Sequence, residues 1–332
     1  MTPKTLSRFC TLFLLCCFSI GCNSNESNRN TLVVYVSADD SIAREVFELY
    51  TEKTGIQISW VGDTESTKTT ALVQRIEREK NNPIADVFWS SEILGMIQLS
   101  KKGILEECKV NTLKDWPKEY RDNAFTWFGF SPRARVIAYD PQKISESELP
   151  QFWWEYSDAV IADPRFGTTL THVAVMGLFP EKSNSLFASM QRPPLLGGNA
   201  ATVQAVVDGT AKYAMTDSDD VHTAIARGAS ISMYMPRHHA GVGGGTLLIP
   251  NTVAILKHCK HPKLAEGFIT FLLSDEVAIL LAGSTSHNIP IQQTVQDLFP
   301  ELKVIDPLRV DFTTAASMQN AQVTLVMETL NK

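Results

Sequence analysis

The sequence predicts an α/β fold arranged as two lobes. Three observations predict it: short apolar runs alternate with amphipathic stretches, their character changes near Ser131, and 332 residues usually divide into more than one core. Leu32 to Ser37 is apolar enough for a buried strand. Ile42, Ala43, Val46, Phe47 and Tyr50 recur at spacings of three and four, which predicts a helix ended by Thr54-Gly55. Strands at 56–61 and 87–89 follow, each succeeded by a helix, at 71–79 and 92–102. Beyond Ser131 the strands expected are 133–140, 160–163, 213–216 and 231–235, with helices at 168–178, 200–208 and 221–227 between them. Gly241 to Gly245 reads as a flexible break before the apolar run 246–256. Helices at 262–273, 275–282 and 312–330 complete the chain.

The first 22 residues address the chain to the outside of the cytoplasm. Lys4 and Arg8 precede a charge-free apolar run, Phe9 to Ile20, closed by Gly21-Cys22. This is a secretory signal, too short for the span of about 20 apolar residues that a bilayer requires. Gly21-Cys22 also resembles a bacterial lipoprotein signal, in which cleavage leaves Cys22 as the lipidated first residue; ordinary secretion is the alternative. Residues 22–30 are polar and read as a flexible tether. The formal charge of −6 becomes −8 when Lys4 and Arg8 leave with the signal, and the absence of a basic cluster argues against nucleic acid. Cys108 and Cys259 are the cysteines left over, able to join in an oxidising compartment or to stay as two buried thiols.

A search for catalytic motifs finds no GxSxG elbow, HExxH pair, CxxC or GxxxxGK[ST] loop. His238-His239 reads as a solvated surface pair and His172 as structural. What stands out is acidic. Asp39-Asp40 follows the first strand, and Asp217, Asp219 and Asp220 follow another, which places both groups at strand ends where open α/β sheets bind ligands. Aspartates also cap helices, so Asp40 and Asp220 need no ligand to explain them. Three acids within four residues go further: two carboxylates about 6 Å apart repel by roughly 3 kcal/mol at an effective dielectric near 20, and a cation or donor must compensate. Ser91-Glu92 ends a third strand. Asp163 to Thr169 ends a fourth, with backbone able to hold an anion at a helix N-terminus. Tyr35, Trp89 and Trp127 suit core packing better than cation–π contacts.

The order of these segments, LVVYVSADD (32–40), ADVFWSSE (85–92), FGFSPRARVIAYDP (128–141), ADPRFGTT (162–169), YAMTDSDD (213–220) and GTLLIPNTVAIL (245–256), resembles the ferric-ion-binding family of ABC-transporter solute-binding proteins. The resemblance implies a type II periplasmic-binding-protein fold, two α/β lobes joined by crossing strands around a hinge and an interlobe ligand cleft. It implies ligand contacts from Asp39, from Ser91 or Glu92, and from Asp219 and Asp220, with Asp217 beside them. Asp39 stands where the family places a His, and Asp219 and Asp220 stand where it places two adjacent Tyr. Gly167, Thr168 and Asn199 match its anion-binding positions. Arg133 and Arg135 match an Arg-Ala-Arg segment that steadies the interlobe region.

The expectation is therefore a lipid-anchored monomeric receptor for an ABC permease and its ATPase, without catalysis and without a required cofactor. Its cargo would be a metal cation such as iron, with or without an anion, held by Asp39, Asp219 and Asp220. Lobe one would comprise 31–130 and 246–290, and lobe two 131–245 and 291–332. An amine-bearing solute (a polyamine or aminophosphonate) is the alternative cargo. A ligand-sensing module serving a receptor kinase and a secreted hydrolase, using Asp219 or Asp220 with His238, are the other readings.

Overall fold

The computed structural model describes residues 30–63, 69–190 and 195–330. The expected signal at 1–21, Cys22 and the expected tether up to residue 29 lie outside the described residues. The first half opens with β1 (Thr31–Val36), α1 (Asp40–Thr54), β2 (Gln57–Val61), α2 (Thr70–Glu79), β3 (Val87–Ser90), α3 (Leu94–Lys101) and the short β4 (Leu105–Glu106). The chain then runs through β5 (Phe128–Tyr139), β6 (Ala159–Ala162), α4 (Gly167–Met176), α5 (Pro180–Ser189), β7 (Leu195–Leu196), α6 (Asn199–Val207), β8 (Tyr213–Asp217), α7 (Ser218–Ala226) and β9 (Ser232–Tyr234). It returns through β10 (Leu248–Leu256), α8 (Pro262–Leu272), α9 (Asp275–Gly283), α10 (Gln293–Gln296) and α11 (Phe312–Leu330).

Two long strands join the halves. β5 pairs antiparallel with β10 over Phe128 to Ala134, then with β8 over Arg135 to Tyr139. Around β10 lie β3, β1 and β2, the last three mutually parallel; around β8 lie the parallel β6 and β7. Parallel strands separated by helices bury both faces, so their side chains read as continuous apolar runs. Every residue of β5 is buried, although Arg133 and Arg135 lie within it. Side chains alternate along a strand, so these two arginines share one face.

Each half has its own packing. Phe47 is central to the first, with Trp60, Trp89 and Phe268 rings within 5.9 Å of it. Tyr35 and Trp127 are buried with the core around α2 and α3, as packing groups. Cys108 and Cys259 are both free thiols, the first in this half's core and the second packed against it. In the second half Trp153, Tyr156 and Phe187 surround the β6–β8 strands. Helix α11 lies across α4, α5 and α3, so it touches both halves.

Two expectations near the crossing are overturned. Gly241 to Gly245 is pinned, not a loose break: Gly243 N–H donates to Asp306, whose other carboxylate oxygen takes Arg237 at 2.6 Å. His238 is fully buried, not solvated. Its burial comes from distant residues, the rings of Trp153, Trp154, Phe179 and His172, which no local pattern could reveal.

His238 belongs to a directed chain. Arg135 Nε approaches His172 Nδ1 at 3.3 Å, His172 Nε2 approaches His238 Nε2 at 3.2 Å, and His238 Nδ1 approaches Gly245 O at 2.9 Å. A guanidinium can only donate, so His172 Nδ1 accepts and its proton sits on Nε2. His238 Nε2 must then accept, leaving Nδ1–H to donate to Gly245. Both imidazoles are neutral in this arrangement. Burial and then the Arg135 charge hold His172 well below 6.5, and burial pushes His238 down to about 4.

Histidines neutral in the fold but basic when unfolded stabilise above pH 6.5 and lose that contribution as pH falls toward about 4. Melting temperature should therefore drop across that interval. His238→Gln should flatten the drop by on the order of 3 kcal/mol or less, read from urea midpoints at each pH. A Cβ at Gly245 would sit 2.1 Å from Asp306 O, so Gly245→Ala should cost about 1–3 kcal/mol in the same assay.

Candidate functional site

The parallel strands of the two halves end facing a shared space. β1 delivers Asp39, β6 delivers Asp163 and the turn to Gly167, and β8 delivers Asp217, Asp219 and Asp220. Between them lies a cavity of about 40 Å³, with Asp39, Arg133, Gly167, Thr168, Asn199, Asp217, Asp219 and Asp220 on its wall. One water needs roughly 10–15 Å³, so the space suits an ion or about three waters. Outside it, Asp39 also borders a groove of about 480 Å³.

Each aspartate arrives for a local reason. Asp217 stands at the N-cap of α7 and Asp219 and Asp220 occupy its first turn, where a helix N-terminus favours carboxylates. Asp39 is the N-cap residue of α1 with extended backbone and no side-chain capping bond, while Asp40 pairs outward with Arg44 at 2.7 Å. Ligand atoms of Asp217, Asp219 and Asp220 all fall within 4.8 Å of one another.

Arginines from β5 hold this charge in place. Arg133 Nε meets Asp219 Oδ2 at 2.8 Å, its Nη1 donates to Ser91 O, and its Nη2 lies 3.3 Å from Asn251 Oδ1. Burial alone would lower the Arg133 pKa, but Asp219, Asp217, Asp39 and Asp220 outweigh it and hold the guanidinium above its usual value. Two residues along, Arg135 Nη1 meets Asp217 Oδ1 at 2.8 Å, with side-chain exposures of 0% and 3%. Asp217 Oδ2 accepts from Thr168 Oγ1 and from Asn199 Nδ2, the latter at 2.9 Å. Asn199 is fixed in turn by Thr169 Oγ1 at 3.2 Å.

Ser91 and Glu92 are drawn elsewhere. Glu92 is buried, and its carboxylate accepts from Leu94 N–H, from Gly95 N–H at 2.9 Å and from Thr171 Oγ1 at 3.1 Å. It caps α3 and ties that helix to α4, and burial raises its pKa against the opposing backbone donors. Ser91 Oγ hydrogen-bonds with Ser37 and Thr69, and neither Ser91 nor Glu92 lines the cavity. Position after a strand end marked both as ligands, but local capping claims Glu92 first.

Arg133 carries more than the steadying role expected of it, since it lines the cavity and pairs with Asp219. The signal was present in the sequence: two guanidiniums at period two within an apolar strand require buried acids somewhere. His238 reaches Asp217 through His172 and Arg135.

The model of the bacterial extracellular solute-binding proteins matches residues 36–279. The major ferric iron-binding protein of Neisseria meningitidis is 25% identical over 316 residues, 87% of this chain and 90% of that protein. Iron uptake protein A1 of Synechocystis is 25% identical over 306 residues, 81% of this chain and 79% of that one. Iron-bound HitA from Pseudomonas aeruginosa superposes with a TM-score of 0.77 at 25% identity, covering 89% of this chain and 99% of HitA. Matches of this length extend over both halves and the crossing strands between them. This chain therefore belongs to the bacterial extracellular solute-binding proteins: it is a two-lobed type II periplasmic binding protein that acts outside the cytoplasm and is not an enzyme.

Proposed function

We propose that this chain captures a metal cation, iron foremost, between its lobes and presents it to the permease and ATPase of an ABC importer. The observation that carries this is a small cavity whose wall gathers carboxylates from both halves of the molecule. Of its wall carboxylates, Asp163 is neutralised by Arg165 and Asp217 by Arg135. Asp39, from the first half, and Asp219 and Asp220, from the second, share this wall with Arg133, which pairs with Asp219. Carboxylate oxygens are hard donors suited to iron, manganese, magnesium or calcium, and no tyrosine lines this cavity. The volume is too small for a polyamine.

Asp39 comes from the first half and Asp219 and Asp220 from the second, so a cation held by all three stabilises only the closed arrangement. The crossings at Ser131–Arg135 and Gly245–Leu248 support a division into lobe one, 31–130 and 246–290, and lobe two, 131–245 and 291–332. The protein would work as a monomer. Removal of 1–21 and lipidation of Cys22 would tether it to a membrane through residues 22–30. Among the described residues no helix is long and apolar enough to cross a bilayer.

Calorimetry on metal-stripped protein should show one ion bound per chain from ferrous, manganous or ferric-citrate solutions. Asp219→Asn with Asp220→Asn should weaken it by about 100-fold or more. Absence of heat with every ion near neutral pH would refute cation capture. For the anchor, labelled palmitate should enter the wild type and not Cys22→Ser, and the variant should move to the soluble fraction; membrane retention of Cys22→Ser would exclude the lipid.

A further inference from the structure

We infer that Asp217 is a built-in anion. Its carboxylate fills the subsite that the N-terminal turn of α4 would otherwise offer to a free oxyanion, and the cleft takes its cation without a co-bound anion. This rests on the cation reading above. The turn has the makings of an oxyanion site: Gly167 at φ 55 opens a ten-residue helix, with the Thr168 hydroxyl, the Asn199 amide and the Arg135 guanidinium converging there. All three converge on Asp217. Arg135 Nη1 and Asn199 Nδ2 donate to its two oxygens at 2.8 Å and 2.9 Å, and Thr168 Oγ1 adds a third bond. A carboxylate has about four acceptor sites, so little capacity is left for coordination. The residue is 2% exposed, which means an entering oxyanion would have to expel a buried, paired charge.

A second observation bears on what the subsite would accept if it were vacated. Arg135 Nη2 is buried without a hydrogen-bond partner. The Asp217 carboxylate satisfies Nη1 and leaves Nη2 over, whereas a tetrahedral oxyanion brings additional acceptor oxygens. Asp217 also stands beside the proposed cation ligands, with its nearest ligand atom within 4.8 Å of those of Asp219 and Asp220. It therefore occupies, from the chain itself, the place beside the cation ligands that a co-bound anion would take. A free anion would in addition face the like charges of Asp39, Asp219 and Asp220.

The test uses the mature chain with inorganic phosphate as probe. Metal-stripped wild type should give no heat with phosphate. Asp217→Ala should bind phosphate at least about tenfold more tightly than wild type, and Asp217→Ala with Arg135→Gln should lose that gain. Phosphate binding by wild type comparable to that of Asp217→Ala overturns the inference. Should the variants not fold, native mass spectrometry of wild type loaded with manganous ion in phosphate–bicarbonate buffer decides. A mass of protein plus cation alone is expected, and a ternary mass with phosphate or carbonate overturns it. A wild type that takes no cation in any buffer refutes cation capture, while its phosphate titration still decides the role of Asp217.

Discussion

The cleft is tenable because Arg133 and Arg135 reach it from one strand. Five aspartates gathered around so small a space would repel strongly at low dielectric, and several would be driven to take up protons. Alternation along β5 places both guanidiniums on the same face, at the point where that strand leaves β10 and joins β8. Arg135 neutralises Asp217 fully within the protein, while Arg133 answers Asp219 at the cavity wall. The two pairs differ in consequence. Breaking the inner one leaves an uncompensated buried charge, a loss of about 3–5 kcal/mol, whereas the outer one borders the space where a cation would enter.

The same strand carries the site's geometry to the crossing. Asp217, Arg135, His172, His238 and Gly245 form an unbroken hydrogen-bonded series ending where the chain turns into β10. The direction of its histidine part is fixed on one side by Arg135, which can only donate, and on the other by a carbonyl that can only accept. Neutral histidines suit this better than lysines, since another buried cation next to Arg135 would need its own partner. The glycine-rich stretch is held beside it: His238 N–H donates to Gly244 O at 2.7 Å, and Asp306 clamps Gly243 and Arg237.

Much of this was legible in the chain, and the parts that were not share a cause. The strands and most helices follow from apolar periodicity, and the acidic groups after β1 and β8 were recognisable from their place at strand ends. Helix α5, with Pro180 at its first position, was not anticipated, because its apolar residues make a weak stripe. β4 and β7 are two residues each, below any periodic signal. At the site, Asp39, Asp217, Asp219, Asp220, Gly167, Thr168 and Asn199 all fall on the cavity wall, and Ser91 and Glu92 do not. Thr168 and Asn199 look like donors awaiting an anion until Asp217, 49 and 18 residues away, is seen to occupy them. His238 is hidden by rings from Trp153, Trp154, Phe179 and His172. Burial and partnership across such separations are tertiary facts, and single residues give no warning of them.

The outer ion pair also sets the terms on which a ligand can act. Arg133 bridges the halves, touching Ser91 and Asn251 on one side and Asp219 on the other. Some closed arrangement is thus stabilised by the chain's own cation, and an incoming ion gains only the difference between its contacts and those of the guanidinium. On the proposed cation reading, a small ion could sit among Asp39, Asp219 and Asp220 together, whereas the Arg133 guanidinium meets Asp219. Carboxylates brought together from both halves would repel in the empty cleft and would draw the lobes shut around a cation, so on that reading capture and closure are one equilibrium.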